Sequence, residues 1–179
     1  MNTPLTPQER IRRVTLICTH TFRNFAFYRA GWKGAELQAK EQFFPTANSG
    51  FLDIGYLEWY KLFADQKGSN HWSKVIPASY PFESELLKSL KITQTQFHEY
   101  IQAVRKYRDK FIAHLDDERV MHSPLTRTAR NSAAFLYDHL RLDPEASKAL
   151  YDVNLSARQY YEYLYRHAFF EYKKHLKKS

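Results

Sequence analysis

The stretch TQTQFHEYIQAVRKYRDKFIAHLDDE, residues 93–118, decides the fold class of this chain. Thr93 followed by Gln96 has the form of a capping box, whose side chains satisfy backbone N–H groups left unpaired in a helix's first turn. At about 100° per residue, Phe97, Ile101, Val104, Phe111 and Leu115 fall within one inward stripe. The spacing predicts a helix from Thr93 to about residue 115. Between Val104 and Phe111, the position that continues the stripe is Arg108. A guanidinium on an apolar face is costly unless it is paired and hydrogen-bonded. Arg108 must therefore meet a carboxylate, line a wet cleft or face another chain. His114 lies on the flank of the same stripe, three residues after Phe111, and Tyr107 lies on that side too.

The segments on either side carry the same period. Upstream, Ile11, Val14, Cys18, Thr21, Phe25, Tyr28 and Trp32 recur at three- and four-residue steps and predict a helix over residues 7–30. Thr6, Pro7 and Glu9 mark its start. Gly31 and Gly34 weaken it before it resumes to about Phe44. Residues 45–50 read as a loop. Residues 51–66 read as a second helix with Leu52, Tyr56, Trp59 and Phe63 inside. QKGSN is a turn, HWSKVI a single helical turn stopped by Pro77, and residues 82–91 a short helix. Downstream, helices are predicted at 125–141, 143–151 and 156–177. In the last of these, Tyr161, Leu164, Tyr165, Ala168, Tyr172 and Leu176 share one face, which reads as packing rather than base stacking. No alternating apolar–polar stretch of useful length occurs, so no sheet is expected. The fold class is all-α: an antiparallel helical bundle with short accessory helices, forming one domain over residues 1–179 with its core at about 8–175.

Composition bounds the function. The chain has 179 residues, 44% of them hydrophobic, enough for one domain with a real core. Five glycines favour helices over a turn-rich sheet. A formal net charge of +8 points to a polyanionic partner, nucleic acid or anionic lipid, with plain solubility as the other reading. Cys18 is the only cysteine, so no internal disulfide or cysteine-based metal site can form. His71, His167 and His175 are scattered and make no metal-ligand set. No zinc-protease motif or glycine-rich phosphate loop is present. No metal or cofactor is expected. The N-terminus lacks an apolar signal region and no long apolar run occurs, so a cytoplasmic protein without a membrane span is expected.

RDKFIAH, Arg108–His114, resembles the R-x(4–6)-H signature of the HEPN superfamily, with Asp109 as a polar residue directly after the arginine. The wider string YRDKFIAHLD is similar to the version in the branch linked to phage abortive infection. So are LEWYKLF and HWSKV within residues 57–75. The resemblance covers roughly residues 8–175. It implies a HEPN-like bundle that forms a homodimer, with the signature helices meeting across a cleft. It implies a metal-independent endoribonuclease acting on RNA, of the kind found as toxins in toxin–antitoxin pairs and as antiviral effectors. It also implies a possible partner protein, an antitoxin or one of nucleotidyltransferase type. Other members have lost catalysis and bind nucleotides or partner proteins.

The residue chemistry suits that activity. In RNA cleavage without a metal, the ribose 2′-OH attacks the adjacent phosphate. An imidazole that titrates near neutrality can take the proton or protonate the leaving oxygen. A guanidinium can hold the phosphorane through paired hydrogen bonds. His114 is thus the candidate general acid or base and Arg108 the candidate phosphate clamp. Six residues apart on a straight helix, they differ by about 120° in direction and about 9 Å in rise. A bend near Ala113, or a two-fold dimer that brings both pairs into one cleft, resolves this. Tyr107 and Asp109 are auxiliary candidates, although Asp109 also sits at surface ion-pair spacing from Arg105. Arg105 and Lys110 are candidate contacts to the RNA backbone, or simply a solvated face. Two other readings stay open: a non-catalytic HEPN module, and a helical scaffold in which Arg108 is a structural ion-pair residue.

Overall fold

A computed structural model describes residues 4–112 and 122–176. Among them lie helices α1 (Pro7–Ala30), α2 (Phe43–Phe63), α3 (Phe82–Leu90), α4 (Gln94–Tyr107), α5 (Thr126–Leu142) and α6 (Ala157–Leu176). Short 3-10 turns occur at Trp72–Lys74 and Ala146–Ala149. The molecule is all-α apart from a minimal hairpin, as the helical periodicity predicts.

Local chemistry sets several of the boundaries. Thr6 accepts from the Glu9 amide at 3.2 Å while the Glu9 carboxylate accepts from the Thr6 amide at 2.8 Å, closing a capping box on α1. Thr93 and Gln96 do the same for α4. Ser156 and Gln159 exchange equivalent bonds at the start of α6.

The helix expected at residues 143–151 is only a 3-10 turn at Ala146–Ala149, and two further expectations need correction. The first is the loop expected at residues 45–50, which is helical because α2 begins at Phe43. Pro45 sits in the first turn, where its missing N–H is one of the donors that no carbonyl would receive. Packing then carries the helix through. The Phe51 ring meets Phe27 edge-on at 5.3 Å, and Phe44 meets Tyr172 at 5.7 Å. The second is the absence of any sheet. Trp32–Lys33 (β1) pairs antiparallel with Glu36–Leu37 (β2), with Trp32 opposite Leu37. Gly34 has φ +64°, the left-handed geometry a two-residue hairpin turn needs. The chain therefore reverses after α1 instead of resuming the helix.

The reversal lays α2 antiparallel on α1: Phe27 meets Phe51, and Phe25 meets Tyr56 one turn further along α2. Val14, Cys18, Phe22 and Phe25 from α1 join Tyr56, Trp59 and Leu62 from α2, with α4, α5 and α6 closing the core. Several of its buried polar atoms find partners on neighbouring elements. Trp59 donates to Ser132 at 2.8 Å, joining α2 to α5. Asn48 accepts from Trp32 at 2.9 Å and donates to the Tyr28 carbonyl at 2.9 Å, fixing the hairpin between α1 and α2. Among the described residues, no helix is long and apolar enough to cross a membrane.

Candidate functional site

The described candidate residues, Arg105, Tyr107, Arg108, Asp109 and Lys110, lie where α4 ends against α2. Phe97, Val104 and Tyr107 are the buried residues of α4. The inward step after Val104 is therefore Tyr107, 1% exposed, rather than Arg108. A helical stripe can step by three residues as well as four, and here α2 selects the three-residue step. The Tyr107 hydroxyl donates to the Asp53 carboxylate at 2.6 Å, and its ring lies 5.2 Å from that of Tyr56. Burial first, and then the Asp53 carboxylate, hold the phenol well above its usual pKa. Tyr107 is thus a core residue with its polar end satisfied by α2.

At Arg108 the backbone leaves α geometry. Residues Arg108–Ile112 form a π turn. Such widened turns are rare and concentrate at functional sites. The bend expected near Ala113 falls outside the described residues, as do His114 and Leu115.

The Arg108 side chain is 29% exposed. Its guanidinium carbon sits 3.9 Å from the centre of the Tyr60 ring. Its Nε donates to Asp109 at 2.7 Å, and a second guanidinium nitrogen donates to the same carboxylate oxygen. Burial opposes the charge, but Asp109 and Tyr60 outweigh it and raise the pKa above the normal arginine value. Of the three environments open to Arg108, the molecule supplies a carboxylate and an aromatic face while leaving part of the guanidinium in solvent.

The remaining candidates separate. Asp109 pairs with its neighbour Arg108, while the Arg105 guanidinium reaches the Ala64 carbonyl at 3.1 Å. That bond caps the C-terminal end of α2, where exposed carbonyls and the helix dipole favour a cation. Arg105 therefore ties α4 to α2. Lys110 is half-buried within the π turn.

Sequence reasoning missed Asp53 and Tyr60. They lie seven residues apart, two turns of one helix face, so their common orientation was legible once α2 was placed. That this face looks at α4 was not.

Among the described residues, no group of three or more His, Cys, Asp or Glu side chains is placed to hold a metal ion. The arrangement instead offers a held, permanently charged guanidinium that stays partly exposed to solvent. No family model matches the chain, and neither does any curated protein or solved structure.

Proposed function

We propose that the protein is a metal-independent endoribonuclease of the HEPN type, with Arg108 as phosphate clamp and His114 as proton carrier. The observation that carries this reading is the placement of Arg108. Its guanidinium is seated on Tyr60, steadied by Asp109 and still reachable from solvent, at the π turn where the R-x(4–6)-H string begins. A cation held this way is pre-oriented for phosphate and cannot deprotonate at working pH.

In the proposed reaction, the ribose 2′-oxygen forms a bond to phosphorus and its proton passes to an imidazole. The phosphorane gains negative charge, which Arg108 stabilises. The bond from phosphorus to the 5′-oxygen then breaks, and a protonated imidazole supplies the proton that the 5′-oxygen takes up. The products are a 2′,3′-cyclic phosphate and a 5′-hydroxyl. In a homodimer the second copy provides the second imidazole, so one His114 accepts while the other donates. A role as toxin or antiviral effector belongs to the same proposal.

The test is cleavage of single-stranded RNA with EDTA present. Arg108→Ala and His114→Ala are each expected to lower the rate by about 100- to 1,000-fold with the helical circular dichroism unchanged. Full cleavage by both variants excludes this site. The engagement of Arg108 by Asp109 favours one second reading, a module that binds a nucleotide or partner protein at the same place without cutting. Saturable binding lost in Arg108→Ala, with no cleavage by the wild type, identifies it.

A further inference from the structure

Away from Arg108, the end of α1, the hairpin and α6 enclose a cavity of about 640 Å³. Its walls are aromatic, formed by Trp32, Tyr165 and Phe169. The Tyr165 and Phe169 rings lie 18° from parallel with centres 6.0 Å apart, making a stepped π surface along α6. Its charged lining is cationic: Arg29, Lys33, Lys40 and Lys173 stand against Glu36 alone. The Lys173 ammonium lies 4.7 Å from the centre of the Phe169 ring.

The negative end of the α1 dipole points toward this region and should repel an anion. The hairpin covers it. Gln38 donates its side-chain amide to the Ala30 carbonyl and its backbone amide to the Gly31 carbonyl, both at 2.7 Å. Arg29 reaches the Trp32 carbonyl at 3.4 Å. The carbonyls that would oppose an anion are occupied, and the cations on the rim are left to set the local potential.

We infer that this cavity binds a nucleotide unit of single-stranded RNA, with the base against the aromatic wall and the flanking phosphates on the lysines. Stacking walls beside backbone-tracking cations are the two components of sequence-tolerant single-strand binding. A paired A-form helix keeps its base faces stacked and does not fit. A flat lipid surface would meet the rim cations but leave the aromatic recess unused. The inference does not depend on Arg108 being catalytic. A free nucleotide carries the same chemistry as a nucleotide within a strand.

The experiment is fluorescence anisotropy of the intact protein with a labelled 2′-fluoro oligoadenylate, which lacks the nucleophile for cleavage. Wild-type binding is expected to weaken linearly in log–log salt plots. Lys33→Ala/Lys40→Ala, at exposed positions, should lower that slope by about 1.4, roughly 0.7 for each phosphate contact on a single strand. Phe169→Leu keeps apolar bulk and should weaken binding about tenfold with the slope unchanged. Competition by adenosine monophosphate at concentrations equal to the oligonucleotide supports the nucleotide chemistry with a free nucleotide as the source. Competition by unlabelled oligonucleotide alone supports it with the strand as the source. Wild-type affinity and slope in both variants overturn the inference. So does binding to phosphatidylserine vesicles with none to the oligonucleotide. Cleavage of ordinary RNA is read separately: a protein that cuts while the cavity variants bind normally loses only the cavity proposal, and one that binds through the cavity without cutting loses only the nuclease proposal.

Discussion

Arg108 retains a charge in a half-buried place because two side chains and solvent divide the work. Tyr60 supplies a negative π face, Asp109 supplies a carboxylate, and solvent reaches what is left. A desolvated cation–π contact is worth up to about 2 kcal/mol, whereas an exposed ion pair between neighbours contributes little. Tyr60 is therefore the stronger determinant of where the guanidinium points. On the proposed mechanism it is a positioning residue, and its loss should act on the chemical step. Tyr60→Leu is expected to lower kcat about tenfold with KM nearly unchanged, and Tyr60→Phe, which keeps the ring beneath the guanidinium, to restore most of it. Steady-state RNA cleavage measures both. Equal defects in the Leu and Phe variants would assign the effect to the hydroxyl and remove the stacking argument.

At the scale of the element, α2 is the organising helix. It meets α1 on one side and α4 on the other, and its approach to α1 depends on Gly55. A Cβ placed there would lie 2.7 Å from the Phe25 ring, against a core wall that cannot move aside cheaply. Gly50, in the same helix, has nothing within 4 Å of its would-be Cβ. The two glycines should respond to the same substitution with opposite sign. Gly55→Ala is expected to destabilise by about 1–3 kcal/mol through overpacking. Gly50→Ala is expected to stabilise by up to about 1 kcal/mol through helix propensity. Urea denaturation of both variants checks this, and equal effects would contradict the close approach of α1 and α2. The π turn after Tyr107 belongs to this scale too. It begins at the residue where the buried stripe of α4 meets the edge of α2, so the helix changes its winding at the point where Arg108 is aimed outward.

For the whole molecule, burial of titratable rings links stability to pH at both ends. His20, His71 and His139 are held below the normal imidazole pKa chiefly by burial, with Arg23 and Lys61 adding to the effect at His20. The unfolded chain takes up protons near pH 6.5, before the folded one does. Between those values unfolding binds protons, so this contribution is complete above about pH 6.5 and is lost as pH falls through the lower folded values. Burial acts in the opposite sense on Tyr56, Tyr100 and Tyr107 and pushes Tyr137 up to about 12. That contribution is complete below the unfolded tyrosine value near 10 and is lost as pH rises through the folded values. Thermal melts at fixed ionic strength should therefore show a dome, with Tm falling below about pH 6.5 and again above about pH 10. His139→Phe keeps a ring against Tyr80, 4.5 Å away in the native protein, and cannot protonate. Its acid limb should be shallower than the wild type's. An unchanged limb would mean that His139 is solvated in the native state.

The sequence by itself determined the helical class, most helix limits and the capping boxes at Thr6 and Thr93, because periodicity and caps depend on residues within one or two turns of each other. Only the tertiary structure decided that Pro45 lies inside α2, that the chain turns back as a hairpin at Gly34, and that Tyr107 rather than Arg108 takes the core position after Val104. It alone brought Tyr60 and Asp53 to α4, and Lys33 and Lys40 to the aromatic face of α6. The centre of a buried stripe, and the partner a charge finds, are set by whichever element packs against it, and that contact joins residues tens of positions apart with no local pattern to announce them.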